Sequence, residues 1–187
     1  MRPSSKTTIL EAARRVAEHS GIGGLTLDAA AQEAGLSKPG LMYHFAGKEQ
    51  LRVAVAEYIT ANWEEAMLAE LGKPFDEATA AERVRAYCRV AADVAGGKAD
   101  LAIFVDSMHE ESWLAPWRAL LRRWLEEPAP LAQSAPDSRS VDMAVARLAA
   151  DGLWMADASG TSGYDQAMRA AVVARIERLA TGMEQEE

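Results

Sequence analysis

The sequence predicts an all-α protein of about nine helices. Apolar residues recur at spacings of three and four through almost every segment, which is the pattern of amphipathic helices. No run of alternating β-branched residues bounded by turn residues indicates a strand. The 187 residues, 49% of them hydrophobic and 26% charged, are enough to fill a small head and a larger body.

Three short helices are predicted at the start of the chain. Gly21 ends the first helix, whose apolar residues share one face. Thr26 is placed to cap the second helix and Gly35 to end it. The third begins after Ser37 with Pro39 in its first turn, where a missing N–H does no harm. Together they predict a compact three-helix head.

Six further helices are predicted in a body at residues 48–187, after a head at residues 1–47. A long helix runs from Lys48 to Gly72, and a capping box formed by Thr79 and Glu82 begins the fifth. The others are predicted at about 100–110, from Pro116 to about 127, at 140–158 and at 164–183, with a Pro- and Ser-rich loop at 128–138.

The charge distribution separates the head from the body. The formal net charge of -8 argues against a nucleic-acid partner, because DNA binding depends on Lys and Arg. The first 50 residues, however, carry six basic and five acidic side chains, so the remaining 137 residues carry a net charge of -9. Only the head therefore suits a polyanion.

The second and third helices, with the glycine turn between them, have the arrangement of a helix-turn-helix. A turn this short holds the second helix at an angle that presents it to a major groove, although ordinary α-hairpins contain similar turns. Leu41 and Phe45 are predicted to face inward. The outer face then presents cationic and hydrogen-bonding groups suited to phosphates and base edges, unless it is simply a solvated helix face.

Several short motifs give this head a specific resemblance. They are Leu25-Thr26, Ala31, Ala34-Gly35-Leu36-Ser37-Lys38, Leu41, Tyr43-His44-Phe45 and Lys48-Glu49-x-Leu51. The set resembles the DNA-binding signature of the TetR family over about the first 51 residues. This resemblance implies a dimeric transcriptional repressor that binds a palindromic operator on double-stranded DNA and is released by a small molecule.

The resemblance also implies roles for individual residues. Phosphate contacts are expected from Thr26, Tyr43, His44 and Lys48, and base-edge contacts from Lys38, Pro39 and Gly40. Met42 belongs to the same predicted interface but departs from the family pattern, which usually places a tyrosine there. Methionine cannot donate a hydrogen bond to a phosphate, so we expect that contact to be lost or replaced by an apolar one.

The last two helices are predicted to form the dimer interface. Their apolar and small residues are Val141, Ala144, Val145, Leu148 and Gly152 in the eighth helix and Met168, Val172, Ile176 and Leu179 in the ninth. The resemblance implies a two-fold four-helix bundle that sets two recognition helices about one turn of DNA apart. The alternative for these stripes is burial within one subunit.

Aromatic and sulfur-containing side chains of the body are predicted to line an effector cavity, since ligand sites are concave and aromatic with few polar groups. The candidates are Trp63, Met67, Tyr87, Phe104, Met108, His109, Trp113, Trp117, Leu121, Asp151, Trp154 and Met155. With Asp151 among them, the cavity favours an aromatic or cationic effector. Most of these aromatics could equally be plain core.

Other functional classes are disfavoured. His19, His44 and His109 lie on different helices without metal-ligand spacing, and no phosphate-binding loop or nucleophile motif occurs. We therefore predict no enzyme activity, no metal and no cofactor. The single cysteine, Cys88, excludes an intrachain disulfide but leaves a redox-sensing role open.

The expected location is the cytoplasm, without a membrane partner, because no apolar stretch approaches the roughly 18 residues of a membrane span and no signal peptide is visible. A transcriptional activator, or a regulator controlled by a protein partner instead of an effector, remains the alternative to a repressor.

Overall fold

The computed structural model describes residues 5–93, 97–125 and 137–182. Within these ranges it contains nine α-helices, a 3-10 helix at Phe75–Glu77 and no strand, which confirms the all-α prediction. The helices are α1 (Ser5–Gly24), α2 (Leu27–Glu33), α3 (Lys38–Met42), α4 (Lys48–Leu71), α5 (Ala80–Asp93), α6 (Gly97–Ser107), α7 (Glu111–Leu125), α8 (Ser138–Ser159) and α9 (Gln166–Thr181). Most of the predicted 128–138 loop lies outside the described residues, as does Met183.

The chain divides into two compact units. Unit 1 takes the described residues of Met1–Asn62 and Lys98–Leu120, and unit 2 those of Trp63–Gly97 and Leu121–Glu187. The units do not follow the predicted boundary at residue 47, because the first half of α4 is built into unit 1. A functional division at that residue remains a prediction.

In unit 1, α1, α2 and α3 pack together around fully buried aliphatic and aromatic side chains. The core includes Ile9, Ala13, Leu25, Leu41 and Phe45. Thr26 caps α2 by accepting a hydrogen bond from the Ala29 N–H, and Ser37 caps α3 through the Gly40 N–H. Both caps confirm the sequence prediction, although α3 ends at Met42, before Phe45.

In unit 2, α5, α8 and α9 pack on one another. Arg89 on α5 pairs with Glu70 at 2.9 Å and with Glu177 on α9 at 3.1 Å. Arg169 on α9 pairs with Asp157 on α8 at 2.7 Å. These part-exposed ion pairs fix the orientation of the helices that they join more than they add to the stability of the unit. The apolar core includes Val84, Ala146, Ala150, Leu153, Ile176 and Ala180.

The capping box at the start of α5 forms as predicted. The Glu82 carboxylate accepts the Thr79 N–H at 2.9 Å, and the Thr79 hydroxyl accepts the Glu82 N–H at 3.3 Å. The Lys73 ammonium, 2.6 Å from Glu82, and the Thr79 N–H and hydroxyl, which both donate to the carboxylate, lower the pKa of that carboxyl to about 2.

The predicted start of α7 at Pro116 is wrong. The helix begins at Glu111, because the Leu114 N–H already bonds the Glu110 carbonyl at 3.1 Å, and Pro116 lies inside the helix. In the described part of the chain, no helix combines the length and apolar character needed to span a membrane.

Candidate functional site

The surface formed by α3 and the turn after it exposes apolar and aromatic groups. Tyr43 has 87% of its surface exposed and Met42 has 45%, and Pro39 is also exposed. Leu41 and Phe45, on the opposite side, are fully buried. Burial of one face therefore fixes the other face toward solvent. An exposed tyrosine at such a position is suited to contact a partner.

Two lysines flank this surface. Lys48 is exposed at the first position of α4. The Lys38 ammonium lies 2.9 Å from the carboxylate of Asp28 in the first turn of α2, and both side chains are about half exposed or more. A DNA contact by Lys38 would have to displace or share that carboxylate. Thr26 is exposed, and its hydroxyl can still donate after accepting the Ala29 N–H.

The two remaining predicted DNA-contact residues are half-buried. His44 packs edge-on against Tyr43, with ring centroids 5.3 Å apart. The Gly40 N–H donates to the Ser37 hydroxyl at 3.2 Å, so the α3 cap consumes it. All eight predicted residues thus lie between Thr26, the N-cap of α2, and Lys48, the first residue of α4, and six of them are exposed.

Arg52 is a supporting residue that the sequence did not single out. It is 8% exposed, donates to the Gly23 carbonyl, and pairs with Glu49 at 2.7 Å. Its guanidinium also lies 5.0 Å from the ring centroid of Trp113 on α7. This side chain therefore joins α1, α4 and α7 within unit 1.

Asp106 on α6 holds the glycine turn at the end of α1. It accepts the Gly23 N–H at 3.3 Å. At Gly21, φ is +70° and ψ is 164°, a backbone conformation essentially confined to glycine, and a Cβ there would overlap the Asp106 carboxylate. Arg14 and Asp100 pair at 2.6 Å between the same two helices. The turn that precedes α2 is thus fixed by charged side chains of α6.

Within unit 2, several predicted effector residues form a packed aromatic cluster. The ring of Trp63 lies 4.8 Å from that of Trp154 and 6.2 Å from that of Tyr87, centroid to centroid. All three are buried, and Met67 is fully buried. The Tyr87 hydroxyl donates to the Asp151 carboxylate. The plain-core alternative therefore describes the packing of these rings.

Burial controls the ionisation of this cluster. It raises the pKa of the Asp151 carboxyl, against the opposing effects of the Tyr87 hydrogen bond and Arg147. Burial, reinforced by Asp151, likewise raises the pKa of the Tyr87 phenol. It also raises the pKa of the Cys88 thiol to about 12, with Asp151 and Glu177 adding to the effect. The buried thiol stays protonated, which disfavours the redox role considered for it.

A cleft of 240 Å³ lies among α5, α7 and α8 of unit 2. It is lined by Ala80, Val84, Leu125, Ser140, Met143, Ala144 and Arg147. The Arg147 Nε is 3.5 Å from an Asp151 carboxylate oxygen, so this arginine connects the cleft to the aromatic cluster. The aromatic candidates do not indicate this cleft, because its lining is aliphatic rather than aromatic. Ala144, one of its lining residues, is also a predicted dimer-interface residue.

The other predicted effector residues lie elsewhere in the two units. In unit 1, Phe104 packs on Trp117 at 5.2 Å, and the Trp113 indole donates to Glu49 at 3.2 Å. Met108 and His109 are exposed in the turn after α6. In unit 2, Leu121 is half-buried and Met155 is exposed.

One face of α8 exposes a continuous apolar stripe. Its members are Val141, Val145, Leu148, Gly152 and Met155, spaced alternately by four and three residues, with Ala144 beside them. On α9, Met168 is exposed and Val172 and Leu179 are half-buried. Ile176 is only 3% exposed and belongs to the core of unit 2, so one predicted interface residue faces inward.

Comparison with protein families decides what this arrangement is. Residues 9–55 match the family model described as "Bacterial regulatory proteins, tetR family", and residues 81–181 match "Tetracyclin repressor-like, C-terminal domain". The chain belongs to the TetR family. As a TetR-family protein it is a DNA-binding transcriptional regulator with a helix-turn-helix and is not an enzyme. No curated relative matches the sequence.

Solved structures share the TetR fold at low sequence identity. A putative transcriptional regulator from Pseudomonas aeruginosa PAO1 is 19% identical, with a TM-score of 0.65 over 95% of this chain and 88% of that one. A putative TetR-family regulator from Rhodococcus sp. is 18% identical, with a TM-score of 0.66 over 94% and 98%. The multidrug binding protein EbrR, complexed with malachite green, is 19% identical, with a TM-score of 0.62 over 93% and 98%.

Proposed function

We propose that this TetR-family regulator is a homodimeric repressor that binds a palindromic operator and releases it when a small aromatic or cationic effector binds. The observation that carries the DNA-binding half of this proposal is the surface of α3. It combines a highly exposed Tyr43 with Lys38 and Lys48, in the segment that matches the family's DNA-binding model. In this proposal the lysine at the start of α4 neutralises phosphate, and the lysine at the start of α3 reads base edges.

Substituting the two lysines should have different effects on DNA binding. We expect Lys48→Ala to weaken binding to all sequences alike and to lower the slope of log K against log salt by about 1. Lys38→Ala should relax preference at one base position, at a cost of about 1 to 3 kcal/mol for the preferred base. Fluorescence anisotropy on a set of operator variants selected from a randomised pool measures both quantities.

Lys98→Ala is the matched control for both variants, because Lys98 is an exposed lysine on α6. It should leave both the salt slope and the ranking of operator variants unchanged. An unchanged ranking in Lys38→Ala would contradict base reading by that residue. If the protein binds its operator only after ligand is added, the proposed release by an effector is wrong.

The exposed stripe on α8 supports the dimer. Its large members, Val141, Val145, Leu148 and Met155, are each close to half exposed or more. Alternating spacings of four and three match the seam along which two helices pack in a bundle. A monomer would leave this apolar surface in water, whereas a two-fold partner would cover it with the same stripe.

Asp151 and its partners support an aromatic or cationic effector. The carboxylate is held by Tyr87 and Arg147 beside the buried rings, and Arg147 also lines the 240 Å³ cleft. A cationic aromatic ligand in the cleft could replace Arg147 as the partner of Asp151 and pack against the apolar lining. Binding of malachite green by the related fold of EbrR is consistent with such a ligand.

A dye titration tests the cation preference. Malachite green, an aromatic cation, should bind about tenfold more weakly to Asp151→Asn, since about 1.4 kcal/mol of charge interaction is lost. A neutral aromatic ligand should bind both proteins alike. Asp93→Asn removes an exposed carboxylate from α5 and serves as the control. Equal binding of cationic, neutral and anionic aromatics, unchanged by the Asp151 substitution, would contradict this effector class.

A further inference from the structure

A second cleft in unit 2 lies where the beginning of α8 meets the end of α9. Its volume is 350 Å³, and its lining consists of Ser138, Arg139, Asp142, Arg175, Arg178, Leu179 and Gly182. Three guanidinium groups thus face one carboxylate. This excess of positive charge stands out because residues 51–187 carry a net charge of -9. The cleft shares no lining residue with the 240 Å³ cleft beside Arg147.

The arginines of this cleft differ from the others on the same two helices. Arg147 on α8 and Arg169 on α9 each pair with an aspartate. Over the described ranges, Arg139, Arg175 and Arg178 form no ion pair within 4.0 Å. The Nε of Arg178 is also buried without a hydrogen-bond partner. A buried donor without a partner is costly, and a bound acceptor would remove that cost.

The backbone at this cleft combines the beginning of one helix with the end of another. Ser138 is in the first turn of α8, where the helix dipole attracts negative charge, but Asp137 already caps that end and the end of α9 has the opposite dipole. The attraction to an anion therefore comes from the arginine side chains. The guanidinium of Arg139 lies against the backbone of Gly182, so that a Cβ at Gly182 would overlap it. Gly182 has φ +67° and caps α9. The Arg139 guanidinium therefore lies at the end of α9, on an exposed side chain.

We propose that this cleft binds a small anion that carries two or more phosphate groups. Guanidinium forks bind phosphate oxygens in pairs, and three of them around one cleft match a multivalent ligand better than a single carboxylate. Asp142 leaves the lining with a formal charge of +2. The ligand would hold the start of α8 to the end of α9. This site is separate from the proposed effector site, and one of its lining residues, Leu179, is also a predicted dimer-interface residue.

Isothermal titration calorimetry with inorganic pyrophosphate tests the proposal on the full chain, at constant ionic strength set with KCl. One pyrophosphate should bind per subunit. Arg175→Gln and Arg178→Gln should each weaken that binding at least tenfold. Arg118→Gln is the control, because Arg118 is an exposed arginine of α7 whose charge lies outside the cleft. It should bind pyrophosphate like the wild type.

Arg175 is exposed, so Arg175→Gln should fold like the wild type. Circular dichroism should show the same helix content for the variant and the wild type. Pyrophosphate should also raise the thermal midpoint of the wild type more than KCl of equal ionic strength does, and should not do so for Arg175→Gln. No binding, binding that Arg175→Gln and Arg118→Gln reduce equally, or a thermal shift that KCl reproduces would overturn the proposal.

Discussion

Leu148→Glu is expected to make the protein monomeric and to abolish tight binding to a palindromic operator. Leu148 is 63% exposed at the middle of the α8 stripe, so its substitution should not disturb the subunit core. In a two-fold dimer this substitution occurs in both subunits and so places two carboxylates in the interface. At about 2 kcal/mol for each desolvated carboxylate, the dissociation constant of the dimer should rise roughly 1000-fold. Sedimentation velocity and operator binding measure the two effects.

Leu68→Glu is the matched control, because Leu68 is an exposed leucine on α4 of the same unit. It should remain dimeric and bind the operator with wild-type affinity. A dimer of unchanged stability in Leu148→Glu would show that the α8 stripe is not the interface. A monomeric variant that still bound the full operator tightly would separate DNA binding from dimerisation.

Gly21→Ala is expected to lower the free energy of unfolding by about 2 to 4 kcal/mol. The combination of φ +70° and ψ 164° is strained for any residue with a Cβ. That Cβ would also overlap the Asp106 carboxylate, so α6 or the turn must shift. Urea denaturation monitored by circular dichroism gives the change in unfolding free energy.

Gly23→Ala separates this effect from the general cost of losing a glycine. Gly23 has no positive φ, and its added Cβ would lie 3.8 Å from the Asp106 carboxylate, an ordinary contact. Gly21→Ala combined with Asp106→Ala should recover the part of the lost unfolding free energy that comes from overlap of the added Cβ with the Asp106 carboxylate. If Gly21→Ala cost no more than Gly23→Ala, the backbone argument would be wrong.

Local signals predicted the head of the molecule well. Thr26 and Ser37 accept hydrogen bonds from N–H groups three residues away, so a cap can be recognised from the residues beside it. The same applies to the Thr79 and Glu82 capping box. The predicted start of α7 at Pro116 is wrong because proline is tolerated at a helix start but does not require one.

Long-range contacts could not be predicted in the same way. Arg52 contacts Trp113 and Gly23 only through tertiary packing, and no residue near Arg52 in the sequence indicates either partner. Aromatic character alone does not identify effector residues, because tryptophans fill a core as readily as they line a cavity. The 240 Å³ cleft is lined instead by aliphatic side chains, with Arg147 as its charged group.

The pair formed by Lys38 and Asp28 has a consequence for how DNA binding responds to salt. The Lys38 ammonium carries its own counterion, the Asp28 carboxylate 2.9 Å away. The pair therefore brings little net charge to DNA and displaces few sodium ions from the duplex. Among the residues that the structure describes, Lys48 has no such ion pair. Rising salt should therefore weaken general attachment to DNA faster than it weakens discrimination between sequences. The regulator would become more selective, relative to its total binding, as ionic strength increases.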